Sequence, residues 1–143
     1  MKSLAALARS TAIPIGADEG IHSLHDIEAH AAAGAGCVSL KLIKLAGFTA
    51  TLTAGALCRR LGLAVNVAGK MAESSLGAAA TVHLACGLDN VDWGVSLTHF
   101  YLAEDIVRAP LAMVDGLVAL PGKAGLGVAI DEAAVTRLRV GNP

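Results

Sequence analysis

From residue 12 onward, short apolar runs alternate with longer stretches of helical period, the order expected of βα units built around a parallel sheet. "AIPIG" (12–16), "CVSLKLI" (37–43), "LAVNVA" (63–68) and "NVDWGVS" (90–96) are the predicted strands. Between them, "SLHDIEAHAAA" (23–33), residues 48–61 and "ESSLGAAATVHLAC" (73–86) predict helices. Ser23 is placed to cap the first of these and Asp26 sits in its first turn, while Arg59 and Arg60 fall in the last turn of the second. Ahead of the first strand, "MKSLAALARS" reads as an amphipathic helix, because Arg9 interrupts its apolar patch and "TAIPIGADEG" is no cleavage region. After residue 96 the pattern decays. "LTHFYLAEDIV" is at most a short helix, and the remainder reads as a hairpin-like return, with turns at Asp115-Gly116 and Pro121-Gly122, followed by a helical tail.

Four βα units are half of an eight-stranded (β/α) barrel, and a closed barrel of that kind takes at least about 200 residues. The fold class expected is therefore α/β: a partial TIM-type barrel of four βα units plus a C-terminal return, in one domain spanning residues 1–143. An open barrel leaves two raw sheet edges, so a homo-oligomer formed through those edges is expected.

Composition narrows this further. The chain is 55% hydrophobic but only 3% aromatic, so small aliphatic side chains must build the core. A mean hydropathy of +0.62 raises the possibility of a membrane protein. No apolar run approaches the roughly 18 residues a span needs, so no membrane partner is expected. With a formal charge of −1 and no basic run, nucleic acid is not expected either. Cys37, Cys58 and Cys86 are odd in number, widely spaced and set among apolar neighbours, which reads as reduced, buried cysteines in a cytoplasmic protein. The histidines show no metal-ligand spacing, and "GKAGLG" (122–127) lacks the strand-before, helix-after setting of a phosphate loop.

Two lysines in "SLKLIK" (39–44) stand out, because desolvating an ammonium is costly. Strand alternation puts Cys37, Ser39 and Lys41 on one side and Val38, Leu40 and Leu42 on the other, with Lys44 pointing oppositely or lying on the following turn. In the first strand, Pro14, Gly16 and Asp18 share a side and Glu19 lies just beyond. Asp18 and Lys41 thus fall at the C-terminal ends of neighbouring strands, where α/β sheets place their chemistry. Burial can lower a lysine's pKa until it works as a general base, and a carboxylate beside it can pair with it or hold a divalent metal. A structural Asp–Lys ion pair is the plainer alternative. Lys70 and Glu73 lie where the third strand turns into its helix, either facing an anion such as a substrate carboxylate or, for Glu73, favouring the dipole of the helix it opens.

The run of "IPIGADEGIHSLHDI", "VSLKLIKLAG", "GKMAESSLGAAATVHLAC", "VDWG" and "DGLVALPGKAGLGVAID" resembles the C-terminal half of the enolase superfamily, in its mandelate-racemase and muconate-lactonizing branch. Within that branch it is most similar to amino-acid-type racemases, epimerases and hydroxyproline dehydratases. The resemblance implies that Asp18 is a ligand of a catalytic magnesium ion and Glu19 its acidic neighbour, that Lys41 is a general acid/base on one face of the substrate's α-carbon, and that Lys44 is a second, less direct lysine. It places Met71 and Glu73 in a loop lining the pocket. Ser96 stands where relatives have an acidic or other substrate-contacting residue. "KLAGFTAT" departs from the usual double-glycine turn, and Ala124 replaces a frequent proline.

The same resemblance puts two further magnesium carboxylates, the opposing lysine base and a capping domain upstream of the segment matched. The function it implies is that of part of a magnesium-dependent racemase, epimerase or dehydratase that abstracts an α-proton from a small carboxylate, inactive alone and completed by an N-terminal half. The alternatives are a non-catalytic, self-associating half-barrel and a small-anion binding protein.

Overall fold

The computed structural model describes residues 1–141. Its elements are α1 (Lys2–Ser10), β1 (Gly16–Ala17), α2 (Leu24–Ala32), β2 (Cys37–Leu40), α3 (Phe48–Arg60), β3 (Ala64–Ala68), α4 (Ser75–Cys86), β4 (Val95–Ser96) and α5 (Glu132–Leu138), with a 3-10 turn at His99–Tyr101. Two compact units emerge: Met1–Ala68 with Leu84–Ser96, and Gly69–His83 with the chain from Leu97 onward.

The first unit holds one sheet, ordered β1-β2-β3-β4 and parallel throughout. Its outward side chains Val38, Leu40, Val65 and Val67 are fully buried, joined in one core by Ile27 of α2 and by Ala54, Leu57 and Cys58 of α3. Alternation along β2 falls as expected, with the aliphatic side under the helices. Ser23 caps α2 by accepting from the Asp26 amide at 3.1 Å, and its hydroxyl donates to the Asp26 carboxylate at 2.8 Å. Arg59 and Arg60 do close α3.

Three boundaries differ from the sequence reading, each for a local reason. β1 starts at Gly16 rather than residue 12, since Pro14 has no N–H to give a ladder. β4 is only Val95–Ser96, because Gly94 turns the chain at φ +72°; residues 90–94 still hydrogen-bond to β3 through Val65 and Val67. Cys86, the last residue of α4, is exposed, whereas Cys37 and Cys58 are buried.

In the second unit, Ala78, Val82 and Leu97 form a small apolar cluster with Leu111 and Val118 packed on it. Asp115 and Gly116 both take positive φ, 50° and 75°, in the left-handed turn that joins the mutually bonded Val114 and Leu117. The second turn predicted at Pro121-Gly122 lies slightly later, where the Gly127 amide bonds to Ala124. No helix among the described residues is long and apolar enough to cross a membrane.

Candidate active site

At the C-terminal end of the sheet, four charged side chains converge in the first unit. Lys41 follows directly on β2 and is 6% exposed. Its Nζ lies 2.7 Å from Asp18 Oδ1 and 2.5 Å from Glu19 Oε1. Lys44 does lie on the turn after β2, yet it reaches back to the same partner, 2.8 Å from Glu19 Oε2 and bonded to the Glu19 carbonyl. Glu19 therefore bridges both lysines. Two carboxylates and two ammonium groups make the cluster formally neutral.

The charges decide the resting protonation. Burial is the largest single influence on Lys41 and opposes its charge, but hydrogen bonds and charge from Asp18 and Glu19 together outweigh it and hold the ammonium above its ordinary range. The expected lowering of its pKa is absent, because two acids, not one, meet the buried group. Glu19 is drawn down to about 2, first by its hydrogen bond from Lys41 and then by that from Lys44. A carboxyl depressed in the folded state stabilises it fully above its ordinary value of 4.5, and that contribution is lost as the pH falls towards about 2. In urea titrations, the difference in midpoint between the protein and Glu19→Gln is expected to be constant from pH 7 to 5 and to shrink below 4.5. A difference that stays the same at pH 3 contradicts the bridge.

Beside the cluster, the inward face of the sheet forms an open cleft of about 240 Å³, lined by Gly16, Ala17, Asp18, Cys37, Ser39, Asn66 and Trp93. Asp18 is the acid among these residues and its side chain is 54% exposed. Asn66 on β3, which the sequence reading passes over, links three strands. Its Oδ1 accepts from Ser39 Oγ at 2.9 Å, and its Nδ2 donates to the carbonyls of Trp93 and Gly94 at 3.2 and 3.0 Å and to Ser96 Oγ at 3.2 Å. The signal was a polar residue at the middle of an otherwise aliphatic strand.

Met71 and Glu73 belong to the second unit. Met71 is 76% exposed. Glu73 lies two residues before α4 rather than in its first turn; its side chain covers Gly77, and Oε2 is buried with no hydrogen-bond partner. The amide of Ser75 that opens α4 is taken at 2.9 Å by Asp105, so an acid far along the chain fills the anion role considered for Lys70 and Glu73.

The chain matches the family described as "Enolase C-terminal domain-like" over residues 1–134. It belongs to that family. Muconate cycloisomerase 1 of Rhodococcus opacus is 32% identical over 94% of this chain and 36% of its own length. The muconate lactonizing enzyme from Pseudomonas putida superposes with a TM-score of 0.86 at 32% identity, over 94% of this chain and 38% of that one. For the N-succinyl Arg/Lys racemase of Bacillus cereus the TM-score is 0.88 at 26% identity, over 96% and 37%. This enolase-type chain thus spans about a third of the length of the curated relatives it matches. Its four parallel strands and their helices correspond to the C-terminal part of enolase-type barrels.

The enolase from Pseudomonas fluorescens Pf0-1, which shares the fold at a TM-score of 0.86 and 22% identity, holds bound magnesium. Magnesium demands near-octahedral oxygen coordination, with carboxylates fixing it in place. Here Asp18 offers one carboxylate, already paired to an ammonium, and no group of three His, Cys, Asp or Glu side chains converges as a metal site among the described residues. The residues of this chain do not by themselves fit a magnesium site.

Proposed function

We propose that Lys41 exchanges a proton with the α-carbon of a small carboxylate, and that it does so only when a further polypeptide segment completes the barrel. The carrying observation is the buried Lys41 ammonium, held by Asp18 at the edge of the cleft and at the C-terminal end of β2. As an amine, Nζ would take the α-proton and become ammonium; as ammonium, it would return the proton to the planar carbon. The names of the relatives support the substrate class, since muconate and N-succinyl amino acids are all carboxylates. Removing a proton next to a carboxylate builds a second negative charge, whose stabilisation requires positive groups aimed at it. The neutral Asp18–Glu19–Lys41–Lys44 cluster has none to spare, and Asp18 would contribute one ligand to a magnesium site completed by carboxylates from elsewhere.

Mixing this chain with the muconate lactonizing enzyme from Pseudomonas putida, deleted of its matching segment, is the test. Exchange of the α-proton into deuterated water, followed by proton NMR over a panel of small carboxylates, is expected in the mixture and absent from either part. No exchange with any of them, despite a formed complex, rejects the proposal. A second reading, a self-associating half-barrel without turnover, is favoured by the open edges at β1 and β4. It predicts dimers of this chain in sedimentation and no exchange.

A further inference from the structure

We infer that His30 is a positioning residue that holds the loop carrying Asp18 and Glu19 against α2, and that residue 20 is glycine to receive its ring. This rests on the reading of those two acids as the partners of a proton-transferring Lys41. His30 lies in the last turn of α2, and its Nδ1 is 2.7 Å from the Asp26 carbonyl. A carbonyl only accepts, so Nδ1 carries the proton and the ring is fixed from its own helix. Another edge of the ring faces Gly20: a Cβ at residue 20 would lie 2.9 Å from Nε2 and 3.1 Å from Cε1. The φ of Gly20 is outside the left-handed region, so the backbone conformation does not call for glycine there. The space taken by the imidazole does.

The same helix grips the loop a second time. While the Asp26 carbonyl takes the His30 ring, the Asp26 carboxylate accepts from the His22 amide at 3.0 Å. Lys44 donates to the Glu19 carbonyl, and Ile21, only 1% exposed, is sunk in the core. Glycine is the most permissive residue of a chain, and Gly20 stands between the acid that bridges both lysines and the anchored Ile21. Free rotation there would let Glu19 swing away from Lys41. The imidazole edge removes that freedom. The Ile21 amide, bonded to the Asp18 carbonyl at 3.1 Å, reports whether the turn is closed.

Amide hydrogen exchange of the full chain, followed by NMR, is the first measurement. His30→Ala is expected to speed exchange at Ile21 and His22 about tenfold and to leave Val65 and Val67 of β3 unchanged, because a loop opens independently of the sheet. Gly20→Ala is expected to do the same by pushing the ring aside. In the double variant the new methyl occupies the space the ring leaves, so exchange is expected to return to within about twofold of the unaltered chain. Such compensation identifies the contact, whereas two independent losses would add. In the completed barrel, His30→Ala is expected to lower kcat for α-proton exchange about tenfold with KM unchanged, since the acids place Lys41 rather than bind the carboxylate.

Unchanged amide exchange at Ile21 and His22 in His30→Ala overturns the inference, as does additivity in the double variant. Equal acceleration at Val65 and Val67 overturns it too, by making His30 a general stabiliser of the unit. Should Gly20→Ala fail to fold by circular dichroism, the local pattern in His30→Ala decides. Local loosening by His30→Ala in a chain whose completed barrel exchanges no α-proton leaves this inference standing and removes the proposed reaction. A kcat for α-proton exchange that is indifferent to His30→Ala does the reverse.

Discussion

Lys41→Met is expected to reduce α-proton exchange in the completed barrel by about 1,000-fold, the scale of losing a positioned acid/base. Methionine keeps the length and apolar stem of the lysine, so the packing under the strand end is conserved. The two carboxylates left behind are not trapped, because Asp18 and Glu19 are 54% and 66% exposed and water replaces the ammonium. Glu19 also keeps its contacts with Lys44. Folding should therefore survive while exchange does not, which separates a chemical role from a structural one. The measurement is the exchange rate by proton NMR beside a urea titration of the same variant. If exchange falls less than about tenfold, Lys41 is a structural ion-pair partner and not the acid/base. Lys44→Met serves as the internal comparison. Its loss removes one arm of the Glu19 bridge but leaves the Asp18–Lys41 pair, so a smaller effect on exchange is expected.

Leu40→Ala is expected to destabilise the first unit by about 3 kcal/mol, within the range for an aliphatic side chain emptied from a packed core. Leu40 is fully buried between the sheet and its helices, and its neighbours Val38, Val65 and Val67 are β-branched and stiff, so the cavity cannot collapse easily. In a chain with so few aromatics, many small contacts of this kind must supply what a few rings supply elsewhere. Trp93 belongs to the same unit and reports its unfolding, so the shift can be read from tryptophan emission in urea. Leu7→Ala is the control, since Leu7 is 51% exposed and its removal should change little. Equal midpoints for the two variants would contradict the core described for β2.

What could be read from the chain before its structure followed periodicity. The alternation in "CVSLKLI" separated the inward Ser39 and Lys41 from the outward Val38 and Leu40 because a strand has a period of two, and the packing agrees. Ser23 and Asp26 marked the start of α2 because capping is local chemistry within one turn. Boundaries slipped where one residue overrode a run, as Pro14 and Gly94 did by removing a donor and by turning the backbone. Cys86 was misplaced because apolar neighbours in sequence do not reveal which side of a helix end meets solvent.

The sequence by itself determined the order of elements, the sidedness of the first two strands, and the presence of an acid and a lysine at their ends, since each of these is set by the local pattern along one strand or helix. Only the tertiary structure decided that Glu19 bridges Lys41 and Lys44, that Lys41 is held as an ammonium rather than an amine, that Asp105 rather than Glu73 takes the first amide of α4, and that Asn66 joins Ser39 to Ser96. Those contacts join groups 22 to 30 residues apart, and their consequence depends on charge balance and burial in three dimensions, neither of which a linear pattern encodes.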